Sequence, residues 1–214
     1  MCGRFALSLS PAELKLVFDL LQVPSDVVPR YNIAPTQDVL MVTADDRRAA
    51  AWARWGLIPS WARDPKIGAK AINARAETVA EKPTFRAALR RRRCLVLADG
   101  FYEWKRRGGK KTPMFIRRRS REAFAFAGLW ETWGEITSCT IITTSANALV
   151  APIHDRMPVI LARDAHDEWL DRGTRELLRP CSSEDLEAFP VSTLVNSVAN
   201  DVPACIEPVE IDGW

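Results

Sequence analysis

Between Cys94 and Ala146 strand follows strand, and this order constrains the fold more than any other feature of the chain. The runs CLVLADGFYEWK, PMFIRRR, AFAFAGLW and CTIITTSA are apolar and rich in β-branched and aromatic residues. Together they supply at least four strands, and RRGGKK reads as the hairpin turn joining the first two. DVLMVT (38–43) and AAAWARW (49–55) add two more, the latter alternating through Trp52 and Arg54. Consecutive strands with helices set apart from them favour an α+β fold over an alternating α/β one.

The helices announce themselves by their starts. In SLSPAELKLVFDLL, Ser10 is a cap, Pro11 suits the first helical position and Glu13 completes a capping box. Leu14, Val17, Phe18 and Leu21 then form one apolar face. TFRAALRRRR reads as a short helix capped by Thr84 and ending in cations. Late helices are expected at DAHDEWL and SSEDLEAF. VPSDVVPRYNIAPTQ, with three prolines, must be irregular. WGLIPSWARDPKIGAKAINARAET is a long stretch without periodicity, the kind of segment that tends to carry function. No repeat, low-complexity tract or linker divides the chain, so one domain over 1–214 is expected.

No apolar run approaches the ~20 residues needed to cross a bilayer. No basic region followed by an apolar stretch and a cleavage site opens the chain, so a cytoplasmic protein is expected. Five scattered cysteines without a C-x-x-C pair, and only His154 and His166, assemble no zinc pattern. The thiols are expected to be reduced, and neither metal nor cofactor is implied. The formal net charge is only +3, yet RRRR (90–93), KRRGGKK (105–111) and RRRSR (117–121) crowd one third of the chain. Each run reads as a solvated surface; three together also read as a face that meets a polyanion.

Cys2 is the residue with chemistry of its own. Removal of Met1 would leave it with a free α-amine beside its thiol, and both groups titrate close enough to pH 7 to react. The amine can form an imine with an aldehyde, and the thiol can close on the same carbon to give a five-membered thiazolidine. Such intramolecular closure carries effective molarities of order 10⁵ M or more. INARAET offers Asn73 and Arg75, which point the same way if extended. DGFYEWK places Glu103 between aromatic residues, where desolvation raises a carboxyl pKa. IHDRMP gives His154 as a general acid or base. Blander roles stand beside these: Asn73 in a turn, Glu103 paired with Lys105, His154 as a satisfied loop histidine.

The blocks MCGRF, YNIAPTQ, WGLIPSW, INARAET, ADGFYEWK and HDRMPVIL, in this order, resemble the SOS-response-associated peptidase (SRAP) family of abasic-site processing proteins. The resemblance runs from Cys2 to PVSTLVNSVAND and implies a single SRAP domain, with antiparallel sheets curled into a barrel-like core and helices outside. It implies that the chain removes its own Met1 and then traps the ring-opened aldehyde of an abasic site in single-stranded DNA as a thiazolidine crosslink, shielding the lesion. Cys2 matches the family's nucleophile and Asn73 the asparagine that orients it. Glu103 matches the glutamate that assists imine formation, and His154 the histidine that promotes sugar ring opening and crosslink reversal. Arg4, Arg75 and Arg156 match cations near the flanking phosphates; Trp61 and Trp104 match aromatics near the strand. A monomer acting on DNA, away from membranes, is implied. The chain departs from the family pattern at Ala62 and Pro83.

Two other readings of the same residues remain at this point. Cys2 could be the nucleophile of an N-terminal-nucleophile amidohydrolase, with its α-amine as base. Alternatively, the basic runs and tryptophans could bind single strands without covalent chemistry, Cys2 being incidental.

Overall fold

The computed structural model describes residues 2–210. The first elements are β1 (Phe5–Leu7), helix α1 (Pro11–Phe18), β2 (Arg30–Ile33), β3 (Asp38–Thr43) and β4 (Ala50–Trp55). A 3-10 turn at Pro65–Lys70 leads to β5 (Asn73–Arg75), α2 (Arg86–Arg91), β6 (Arg93–Ala98) and β7 (Gly100–Arg107). Three long strands follow: β8 (Lys110–Arg118), β9 (Phe124–Trp133) and β10 (Ile136–Ser145). The last elements are β11 (Arg156–Pro158), β12 (Ile160–Leu161), α3 (His166–Arg172) and β13 (Leu186–Pro190). No helix among the described residues is long and apolar enough to cross a membrane.

Five strands close on themselves. β10 pairs with β4, β4 with β3, β3 with β6, β6 with β9, and β9 returns to β10. The β10–β4 contact is parallel and the others are antiparallel, and closure leaves this ring without an exposed edge. Short β5 and β11 extend β10, and β12 extends β9. β9 is buried at every position from Phe124 to Leu129, one face to the barrel interior and the other under the rest of the chain, so it reads as a continuous apolar run. The fold is α+β with a barrel-like core, as the strand order and the family resemblance imply.

A second, antiparallel sheet has the order β13–β8–β7–β1–β2. Its β7–β8 hairpin turns at Gly108 and Gly109, with φ of 55° and 80°, the left-handed values that a two-residue hairpin turn needs and that glycine tolerates. Phe5 on β1 joins the two sheets. Its ring packs edge-on against Trp55 of β4 and Phe126 of β9, with centroids 5.1 and 5.7 Å apart.

Helix α1 starts as the sequence dictates, with the Ser10–Glu13 capping box and Pro11 in place. It ends at Phe18, earlier than the expected Leu21. Asp19 turns left-handed (φ 54°) and Leu21 is 61% exposed, outside the packed face. Helix α2 begins after Phe85 with no side-chain cap, so Thr84 does not cap it. The expected irregular segment 23–37 contains β2, and the expected helix at SSEDLEAF is not one. Ser182 caps a 3-10 turn at Ser183–Asp185, and Leu186 to Pro190 then pair with β8. The Ser-x-x-Asp start satisfies a turn as well as a helix, and the open edge of β8 takes the residues that follow.

That strand changes the meaning of one basic run, and neighbouring elements absorb a second. Arg117 pairs with Glu187 at 2.7 Å and lies over the Phe189 ring, while Arg119 donates to the Glu184 carbonyl. Arg93, 8% exposed, donates to the carbonyls of Leu89, Trp169, Leu170 and Asp171. A cation thus satisfies the orphan carbonyls at the end of α3. Arg92 pairs with Glu131 at 2.6 Å. Much of 90–93 and 117–121 therefore holds the fold together rather than forming a free basic face.

Candidate active site at the seam of the two sheets

Phe5 fixes where the N-terminal segment enters, and Cys2 lies three residues before it, fully buried. The Cys2 carbonyl accepts a hydrogen bond from Asn73 Nδ2 at 2.7 Å. Asn73 can reach it because β5 is registered on β10, with Asn73 opposite Ile141 and Arg75 opposite Thr143. Asn73 Oδ1 is buried without a partner among the described residues. The Cys2 sulfur accepts from the Arg4 backbone N–H, but burial, and then the nearby Glu103 charge, hold the thiol well above its ordinary range. In this form it is a neutral thiol.

Glu103 sits on β7 between Tyr102 and Trp104, 4% exposed. Burial pushes its carboxyl up from 4.5 to about 7, with Asp155 adding in the same direction. At neutral pH it is divided between acid and carboxylate, the state that suits a group that must both give and take a proton.

His154 ends the turn after β10. Its Nδ1 lies 2.9 Å from the Arg156 backbone nitrogen and 2.9 Å from an Asp155 carboxylate oxygen. These contacts ask for opposite proton states, since the backbone N–H needs an acceptor and the carboxylate needs a donor. Burial lowers the His154 pKa against the opposing pull of Asp155. The lowered pKa favours the neutral ring at pH 7, and a neutral ring that accepts from Arg156 at Nδ1 carries its proton on Nε2.

Glu103 and His154 border one cleft of about 690 Å³, with Trp104, Arg106, Lys111 and Asn196. Arg106 and Lys111 come from the β7–β8 hairpin, so KRRGGKK is the basic run that reaches the cleft. The structure thus draws Cys2, Asn73, Glu103 and His154 into one neighbourhood from four distant chain segments.

The expected DNA contacts divide. Trp104 borders the cleft and its indole N–H donates to Asn196 Oδ1 at 2.8 Å. Arg75 is exposed on β5. Arg4 is tied to Asn32 Oδ1 (2.6 Å) and the Val195 carbonyl (2.7 Å), with its guanidinium 5.8 Å from the Trp104 ring centre. Arg156 is occupied by Glu77 and the Thr143 carbonyl. Trp61, 59% exposed in the loop after β4, is not among the residues bordering the cleft. Sequence reasoning missed Asn32, Asn196 and Glu77. Asn196 lies in the polar run VNSVAND, and Glu77 within INARAET, but no local pattern names their partners. No three His, Cys, Asp or Glu side chains cluster as metal ligands among the described residues.

An α+β barrel thus holds the cysteine at its second residue on an asparagine and beside a buried glutamate, at the seam of two sheets. The family model described as SOS response associated peptidase (SRAP) matches residues 1–198, and the chain belongs to that family. It is similar to the abasic site processing protein YoqW of Bacillus subtilis, with 46% identity covering 97% of this chain and 99% of that protein. It is also similar to the abasic site processing protein HMCES of Gallus gallus, with 35% identity covering 99% of this chain and 79% of that one. Among solved structures, it is similar to a crystal structure of a Bacteroides thetaiotaomicron protein, with TM-score 0.89, 26% identity and coverage of 98% and 100%.

Proposed function

We propose that this protein, once Met1 is removed, processes abasic sites in single-stranded DNA by closing a thiazolidine between Cys2 and the sugar aldehyde. The observation that carries this reading is the Asn73 hydrogen bond to the Cys2 carbonyl beside a buried Glu103 poised near neutrality. The names of the relatives, abasic site processing proteins, support the substrate class.

Each step has a residue suited to it. His154, neutral at pH 7, exchanges a proton with the deoxyribose oxygen as the sugar ring opens to the aldehyde. The Cys2 amine adds to the aldehyde carbon to give a carbinolamine. Protonated Glu103 gives its proton to the departing hydroxyl; water leaves, and the iminium N–H proton returns to the carboxylate. The Cys2 S–H then adds across the C=N bond, sulfur to carbon and hydrogen to nitrogen. Aldehyde and aminothiol have become thiazolidine and one water. Asn73 holds the Cys2 backbone throughout, and its buried Oδ1, which has no partner among the described residues, is an acceptor for the α-amine. Arg106, Lys111 and Arg75 supply the positive charge that a phosphate backbone needs, without reading sequence.

The test is incubation of trimmed protein with an oligonucleotide carrying one abasic site. A heat-stable shifted band should form, and disappear in Cys2→Ala and in protein that retains or re-acquires an N-terminal extension. A band that survives Cys2→Ala would defeat the proposal.

A further inference from the structure

Glu77 lies two residues beyond β5, and its two carboxylate oxygens hold both terminal nitrogens of Arg156, at 2.7 Å to Nη1 and 2.9 Å to Nη2. Arg156 Nη2 also donates to the Thr143 carbonyl at 2.7 Å, and the Ala76 backbone N–H donates to the same carbonyl at 2.9 Å. Thr143 pairs with Arg75 of β5 on one side and Pro158 of β11 on the other. One fork-to-fork ion pair therefore bridges the segment just after the strand that carries Asn73 and the start of β11, two residues after His154. The Arg156 side chain is 13% exposed and that of Glu77 is 52%. Arg156 holds the Glu77 carboxyl below its usual range, so the pair is ionised at neutral pH.

The same Arg156 donates its backbone N–H to His154 Nδ1, for which the Asp155 carboxylate competes. We infer that Glu77 is a positioning residue for His154: by clamping the Arg156 side chain it keeps the Arg156 N–H on Nδ1 and so fixes the imidazole with its proton on Nε2. Release of the clamp frees Nδ1 to take a proton and donate to Asp155. The other charged groups facing His154 are Glu103, Arg106 and Lys111 across the cleft, and none of them is held by Glu77.

The clamp is tested first without any reaction. Only His154 and His166 contribute imidazole signals, so ¹⁵N NMR of the whole chain, assigned with His166→Gln, reads the His154 tautomer directly. The wild-type chain should show Nε2–H. Glu77→Ala should shift population to Nδ1–H and move the His154 titration upward as Asp155 gains hold of the cation. Glu77→Gln, which keeps one acceptor oxygen, should fall between. A His154 spectrum and titration unchanged in Glu77→Ala would overturn the inference.

A second arm rests on the proposed function. Crosslinking at saturating abasic oligonucleotide should slow by up to about 10²-fold in Glu77→Ala, the scale expected of a misplaced catalytic group. Glu77→Ala should add no further loss in a His154→Ala background, because both changes remove the same step. Additive losses would overturn the role. So would tighter binding of undamaged single strands by Glu77→Ala, which would mean that Glu77 withholds Arg156 from phosphate. A wild-type chain that forms no Cys2-dependent band would sink the functional reading, while the NMR arm would still decide the role of Glu77.

Discussion

Replacing Glu103 with glutamine separates its chemical role from its structural cost. The side chain is 4% exposed, and burial moves its carboxyl from 4.5 to about 7. The sign follows from which form the fold prefers. A carboxyl whose pKa is higher in the folded state favours folding while protonated, and that advantage is lost as pH rises from 4.5 through about 7. Each pH unit of displacement is worth ~1.4 kcal/mol, so the wild-type chain should lose about 3 kcal/mol over this window. Glutamine has nearly the same shape and no charge to desolvate, so the Glu103→Gln variant escapes that loss. Urea denaturation at pH 4.5 and at pH 8 measures it: Glu103→Gln relative to wild type should gain about 3 kcal/mol between the two. Crosslinking of an abasic oligonucleotide should fall by ~10²-fold or more, the usual worth of a positioned general acid. A stability difference that is the same at both pH values would refute the desolvation argument. Undiminished crosslinking would refute the proton-transfer role.

Two further substitutions probe the seam and the barrel. Asn73→Ala removes the 2.7 Å hydrogen bond to the Cys2 carbonyl; it should cost about 1 kcal/mol in denaturant titrations and slow crosslinking while leaving affinity for undamaged strands unchanged. Arg93→Met leaves the carbonyls of Leu89, Trp169, Leu170 and Asp171 without their shared donor and should cost about 3–5 kcal/mol by urea denaturation, with crosslinking by the folded fraction intact.

The long strands were legible in the sequence because each is a mainly apolar, β-branched or aromatic run longer than the turns around it. DVLMVT and AAAWARW fall on β3 and β4 almost to the residue, and the hairpin at Gly108 and Gly109 is where RRGGKK puts it. β1, β2, β5, β11 and β12 were missed, since two to four residues are too few to display a period. SSEDLEAF failed for a different reason: its capping pattern is shared by helices and 3-10 turns, and the choice between them was made by the unpaired edge of β8, which lies far away in sequence. The site divides in the same way. Cys2 follows from amine and thiol chemistry alone, and Glu103 from the aromatic residues beside it. Asn73 and His154 rest on the resemblance of their motifs. The Glu77 clamp could not be read, because its partner is 79 residues away and both residues look like ordinary surface charges.

The division of the site between two sheets explains why a barrel is needed for so small a reactive group. An N-terminus in solution samples many conformations, and fixing each residue costs ~1–2 kcal/mol. Here that cost is met during folding. Phe5 locks β1 against Trp55 and Phe126, and β1 pairs with β7 at Phe101, two residues from Glu103. Cys2 and Glu103 therefore move with one sheet. Asn73 and His154 are attached through β5 and the turn before β11 to β10, a strand of the closed ring. The Asn73–Cys2 hydrogen bond crosses between them, so Cys2, Glu103 and His154 acquire their spacing only when the two sheets dock. In the proposed reaction, ring closure onto a sugar carbon would depend on that spacing more than on the reactivity of any one group, because burial keeps the thiol neutral until an imine forms within its reach.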